Sequence, residues 1–135
     1  MSIQFRCRKI VGGKAEGVAL VTNVPISFWG GIDPLTGEIL DKESRECGKS
    51  IKDKIFVFPF GKGSSALSGR LSSMCRMRTG PKALVNTKLD SNLVLGALVS
   101  ALPLVLIDEE IMHKIKTGDY LKVYADEEII EVVGT

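Results

Sequence analysis

Three short apolar runs constrain this chain most: IFVF at residues 55–58, ALV at 83–85 and LVLI at 104–107. Each is too short for a helix and apolar at successive positions, the pattern of a strand buried on both faces. The segments between them have helical spacing. From Ser64 onward, Leu67, Leu71, Met74 and Cys75 fall on one helical face. Residues 91–101 follow Asp90 or Ser91 as candidate N-caps and are apolar nearly all round, which predicts a buried helix. Strand, helix, strand, helix, strand predicts a parallel sheet, because parallel neighbours need a crossover connection.

The rest of the chain extends this βαβ core. The first forty residues read as β: residues 3–11 alternate partly, Gly12-Gly13 turns, and residues 17–21 resume as a strand. Asp33-Pro34 with Gly37 soon after is a turn signal. Thr79-Gly80-Pro81 stops the first helix, with Gly80 suited to a left-handed cap. Asp108 caps a short helix that carries Glu109 and Glu110 in its positive first turn. Gly118-Asp119 turns into a strand at residues 120–124, and residues 129–133 supply another. The expected order is β-β-β, then β-α-β-α-β-α-β-β. The fold class is therefore α/β: a single domain over residues 1–135, with a parallel βαβ core, an added N-terminal β layer and one main core.

Composition removes several classes of function. Net charge is +2, and only Arg70, Arg76 and Arg78 form a local basic group, without interleaved aromatics. That is the pattern of a solvated helix face, so no nucleic-acid partner is expected. Apolar stretches near the N-terminus are broken by Arg6, Arg8, Lys9 and Lys14, and residues 93–106 are interrupted by Ser100 and Pro103. Neither a signal peptide nor a membrane partner is expected, and the expected location is the cytoplasm. Cys7, Cys47 and Cys75 are widely spaced and His113 is the one histidine, so no metal site of its own is expected. The cysteines read as reduced and in or near the core, and His113 as exposed on a surface helix.

Two segments are candidates for chemistry. In FPFGKGSSALSG, residues 58–69, a strand stops at Pro59 and a helix starts at the serines. GKGSS fits neither the P-loop, whose lysine follows the last glycine, nor GxGxxG. It reads either as a structural turn or as an anion site. In the second case Gly61 and Gly63 let backbone N–H groups face a bound anion, and Ser64 stands at the positive end of the helix, where an alkoxide costs least. In SFWGGIDPLTG, residues 27–37, the alternatives are a strand end with a turn, or a site wall in which Ser27, Gly30, Gly31 and Asp33 lie near a substrate or an interface. Trp29 is expected in an interface or the core, and its loop on the same side of the domain as Gly61.

The runs PISFWGGIDPLTGEILD, GKSIKDKIFVFPFGKGSS and GALVSALPLV, in that order, resemble the small subunit of the aconitase X family. The glycine loop is more distantly similar to that of the aconitase swivelling domain. The resemblance spans residues 3–133. It implies a swivelling domain that closes over a large aconitase X-like catalytic subunit, which holds an iron–sulfur cluster or iron, with no cofactor in this chain. It implies dehydration of a small anionic hydroxy acid: mevalonate 5-phosphate, toward which NTKLDSNLVLGALVSALPLV leans, or alternatively cis-3-hydroxy-L-proline. Ser64 would take the proton from carbon, with Ser65 as the alternative, and Gly61, Lys62, Gly63, Ser65, Ser27, Gly30 and Gly31 would line the substrate. Where aconitase has an arginine after its two serines, this chain has Ala66, so that contact does not carry over. A non-catalytic anion-binding or regulatory swivel domain is the reading from a different class.

Overall fold

The computed structural model describes residues 2–62 and 66–134. Its elements in chain order are β1 (Ser2–Arg6), β2 (Arg8–Val11), β3 (Lys14–Val21), β4 (Ile55–Val57), α1 (Ala66–Arg76), β5 (Ala83–Asn86), α2 (Ser91–Val99), β6 (Leu104–Leu106), α3 (Glu109–Lys114), β7 (Tyr120–Tyr124) and β8 (Ile129–Val133). The strands form one sheet in the order β1-β8-β7-β3-β4-β5-β6-β2. The centre, β3-β4-β5-β6, is parallel as the alternating pattern required, and the flanks are antiparallel.

The N-terminal strands are added at the two edges of this sheet. β1 pairs with β8 at one edge, and β2 with β6 at the other. Only Cys7 separates them, and two residues of chain span about 7 Å. The sheet therefore curls until its edges meet at Cys7, whose N–H donates to the Glu128 carbonyl at 3.0 Å. The alternation read as one run over residues 3–11 is broken there. Strand β3 serves both halves of the curl. Its first residues pair with β7 and its last with β4. Gly17 lies near the hand-over, buried, where a Cβ would stand 3.3 Å from the Asp53 carbonyl oxygen.

Curling gives two cores where one was expected. Inside the curl lie Val21, Ile55, Val57, Val85, Val105 and Val123, closed by Met112 of α3 and Ile115. On the outer face Leu20, Phe56 and Leu84 pack against Leu71 and Met74 of α1 and Leu93 and Ala97 of α2. Successive strand residues point to opposite faces, and both faces are buried, which is why β4, β6 and residues 83–85 of β5 are apolar at every position. Residues 22–54 are not regular strand. They form a long loop over the outer core, fixed by Ile26, Phe28, Ile32, Ile39 and Ile51 and by isolated bridges such as Ile32–Ile39.

Helix ends depart from expectation in detail. The left-handed residue after α1 is Arg78, at φ 62°, and not Gly80. Gly80 is buried, and a Cβ on it would meet the Cys75 Sγ at 3.1 Å, so its role is close approach. Asp90 and Asp108 occupy the N-cap positions without a side-chain cap bond. α2 ends at Val99 and is not buried all round: Leu93, Gly96 and Ala97 face inward, while Leu95, Leu98 and Val99 are exposed. The reason is that α1 covers one side only, at close range: a Cβ on Gly96 would lie 3.1 Å from the Ser68 Cα. Among the described residues no helix is long and apolar enough to cross a membrane.

Candidate functional site

Open α/β sheets bind ligands outside the carboxyl ends of their parallel strands, and both candidate segments lie there. The end of β4 is pinned by the end of β5. The Phe58 N–H donates to the Val85 carbonyl, and the buried Asn86 amide donates to the Phe58 carbonyl, each at 3.0 Å. The Pro59 carbonyl accepts from the N–H groups of Thr87 and Lys88 at 2.9 and 3.2 Å and from the Thr87 hydroxyl at 3.2 Å.

Beyond Pro59 the chain pairs with the other segment. The Ile26 N–H donates to the Phe60 carbonyl at 3.1 Å, and the Lys62 N–H to the Ile26 carbonyl at 2.9 Å. Ile26 and Gly61 thus form a parallel bridge. Gly61 is buried and Lys62 exposed. Gly63, Ser64 and Ser65 lie outside the described residues, and α1 is described from Ala66. The loops around Trp29 and Gly61 lie on the same side of the domain, as expected.

The Ser27–Gly31 segment is a self-contained turn. The Ser27 hydroxyl donates to the Trp29 carbonyl at 2.6 Å and accepts from the Trp29 N–H at 3.2 Å. The Ser27 carbonyl accepts from the Gly31 N–H at 3.0 Å. Gly30 has φ 92°, and a Cβ on Gly31 would stand 2.3 Å from the Ser27 carbonyl oxygen, so both glycines are conformational requirements of the turn. Asp33 closes the next turn: its Oδ1 accepts from the Leu35 N–H at 2.9 Å, and its carbonyl from the Gly37 N–H at 2.7 Å. Between the turns, Phe28 is buried edge-on against Phe56 and Phe58, at centroid distances of 6.3 and 6.1 Å. The neighbouring Trp29 is 62% exposed, outside the core, with the Arg70 guanidinium 4.2 Å over its ring.

On the other flank of Pro59 is an open cavity of about 660 Å³, lined by Asn23, Arg45, Thr87, His113 and Lys116 among others. His113 is exposed on α3, as expected, and borders this cavity; nothing in its sequence neighbourhood signals that placement. Among the described residues no three His, Cys, Asp or Glu side chains come together to hold a metal, so this part of the chain does not fit an iron centre. The cysteines are free. Cys7 and Cys75 are half-buried, but Cys47 is exposed, which corrects its assignment to the core. Burial, then the nearby Glu128 carboxylate, pushes the Cys7 thiol up to about 11. Burial also raises Cys75, opposed in part by the neighbouring Ser100 hydroxyl.

A profile of the aconitase X swivel domain matches residues 4–132. The phosphomevalonate dehydratase small subunit of Archaeoglobus fulgidus is 42% identical over 97% of this chain and 99% of its own length. The protein of that name from Thermococcus onnurineus is 39% identical over 96% of this chain and 98% of its own. A crystal structure of Thermococcus kodakaraensis aconitase X in its holo-form superposes with a TM-score of 0.92 at 39% identity, over 98% of this chain and 99% of that one. A solution NMR structure of a UPF0107 protein superposes at 0.90 with 41% identity, over 98% and 100%. With the family profile, the relatives and the solved structures all matched over nearly the whole chain, this chain belongs to the aconitase X swivel domain family.

Proposed function

We propose that this chain is the small subunit of a hydro-lyase that dehydrates mevalonate 5-phosphate and is active only with a large aconitase X-like subunit docked on its carboxyl-edge loops. The observation that carries this reading is the match along nearly the whole chain to small subunits named for that reaction. The fixed junction of residues 58–62 with residues 26–31 supports it.

Dehydration takes a proton from one carbon and hydroxide from its neighbour. On this reading Ser64 accepts the proton, aided by the positive end of α1. Backbone N–H groups of Gly61, Gly63 and Ser65, with the Lys62 ammonium, hold the negative substrate. The Ser27–Gly31 turn forms the adjoining wall, since the Ser27 hydroxyl is committed to its own backbone. Departure of the hydroxyl, and the iron centre, are assigned to the partner. The working location on this reading is the cytoplasm.

The test is co-expression with the large subunit and assay of the assembled pair on mevalonate 5-phosphate, with cis-3-hydroxy-L-proline in parallel. Formation of the dehydrated phosphomevalonate product supports the proposal. Turnover of the hydroxyproline alone reassigns the substrate. An assembled, iron-loaded pair that turns over neither would make the chain a non-catalytic anion-binding domain.

A further inference from the structure

The segment at residues 26–29 touches the chain on both sides of the glycine loop. Before the loop, Ile26 bridges Gly61. After it, Trp29 lies under the guanidinium of Arg70 at 4.2 Å. Arg70 is four residues into α1, about 6 Å along the axis from its first residue. Contacts to the same four residues thus flank the glycine loop on both sides in the chain, and the second contact brings a cation.

Among the described residues that cation makes no ion pair. Among the described residues the ion pairs are Lys9–Asp126, Lys49–Glu46 and Lys122–Glu16, and none involves Arg70 or Lys62. Residues 54–89 hold seven lysines and arginines and no aspartate or glutamate, and the first turn of α1 has no acidic residue. A guanidinium stacked on an aromatic face keeps its N–H edge directed outward in a fixed plane, which suits a carboxylate or phosphate held by two parallel hydrogen bonds. Trp29 supplies the flat surface because the turn at Ser27–Gly31 holds its backbone while Phe28 anchors the turn in the core.

We propose that Trp29 and Arg70 form a pre-organised oxyanion-recognition pair that binds one anionic end of the substrate beside the glycine loop and sets specificity. This deepens the dehydratase reading and rests on it for the identity of the ligand. The shared chemistry is a carboxylate or a phosphate. Arg70 is a binding residue and Trp29 a positioning residue: the ring cuts the rotamers the guanidinium must lose on binding.

Trp29 is the one tryptophan of the chain, so its fluorescence reads the pair directly. In the first experiment the full chain is titrated with inorganic phosphate and, separately, acetate at constant ionic strength. A saturable change with one or both anions is expected, and which anion gives it identifies the end recognised. The change should be absent in Arg70→Gln, whose fold is checked by circular dichroism. No saturable change with either anion, or an equal change in Arg70→Gln, overturns the proposal.

The second experiment uses the assembled complex. Arg70→Gln should raise KM for mevalonate 5-phosphate about tenfold or more with kcat within a few-fold, Arg70→Lys should recover only part of it, and Trp29→Leu should raise KM less than Arg70→Gln. An unchanged KM in Arg70→Gln overturns the pair. So does failure of Arg70→Gln to assemble, which would give the guanidinium to an acidic side chain of the partner subunit. If the unmutated complex does not turn over the phosphate substrate, the dehydratase reading fails while the fluorescence titration still decides the pair.

Discussion

Ile26 and Gly61, 35 positions apart in the chain, are paired in an isolated parallel bridge beyond the ends of β3 and β4. The bridge joins the turn at Ser27–Gly31 to the glycine loop, so a change in one is felt in the other.

Ser64→Ala should leave assembly intact and lower turnover of the complex by roughly a hundredfold or more, the scale for losing a positioned general base. Loss of an N-cap would cost at most about 2 kcal/mol, so the chain should still fold. Ser65→Ala should be milder, and Lys62→Ala should act mainly on KM. Steady-state kinetics of the three variants checks this, and the reverse ranking of the two serines would move the base by one position.

Gly31→Ala should destabilise the chain by about 1–3 kcal/mol, the usual cost of forcing extra atoms into a packed site. The obstacle at 2.3 Å is backbone, the Ser27 carbonyl oxygen, which cannot swing away as a side chain would. Urea unfolding measures the loss. Gly48→Ala is the comparison: Gly48 is left-handed, at φ 94°, as Gly31 is not, and has no neighbour within 4 Å, so it adds backbone strain without a clash.

Phe28→Ala should cost about 3–5 kcal/mol, the range for an aromatic ring removed from a core. Phe28 is fully buried against Phe56 and Phe58 and sits between Ser27 and Trp29. The Trp29 emission maximum should shift along with the loss of stability. A variant as stable as the parent would mean the aromatic cluster does not anchor the turn.

Exposure orders the thiols. Cys47 should be alkylated first, and Cys7 and Cys75 more slowly, in a mass-spectrometric time course on the native chain. The raised Cys7 pKa also has a stability consequence. The folded state keeps its proton up to about pH 11, whereas the unfolded thiol loses it near 9. In that window the unfolded state binds fewer protons, so stability falls as pH rises from about 9 to 11. Cys7→Ala should flatten the alkaline slope of a stability–pH profile, and an unchanged slope would put its origin in other groups.

Periodicity and turn chemistry are local, and they determined a good deal. The apolar runs at 55–58, 83–85 and 104–107 correspond to β4, β5 and β6 because strands buried on both faces have no polar alternative. The helix that follows the serines, the turn at Asp33–Gly37 and the strand–helix–strand order are set by residues near one another in sequence. The family resemblance in the three quoted runs was legible for the same reason.

What only the tertiary structure decided is nonlocal. The break at Cys7 is invisible in a run that alternates on both sides of it, because it depends on β8 and β6 offering two separate edges. The exposed face of α2, Leu95, Leu98 and Val99, carries the same residue types as its buried face, and only the one-sided cover by α1 tells them apart. Gly80 and Gly96 read as breakers or gaps until the neighbour each one admits is in place. Arg70 reads as one charge on a solvated helix. Its stacking on Trp29 arises because the Ile26–Gly61 bridge and the Phe28 anchor bring two segments forty residues apart to the same edge of the sheet. Chain folding supplies that proximity, and no local pattern encodes it.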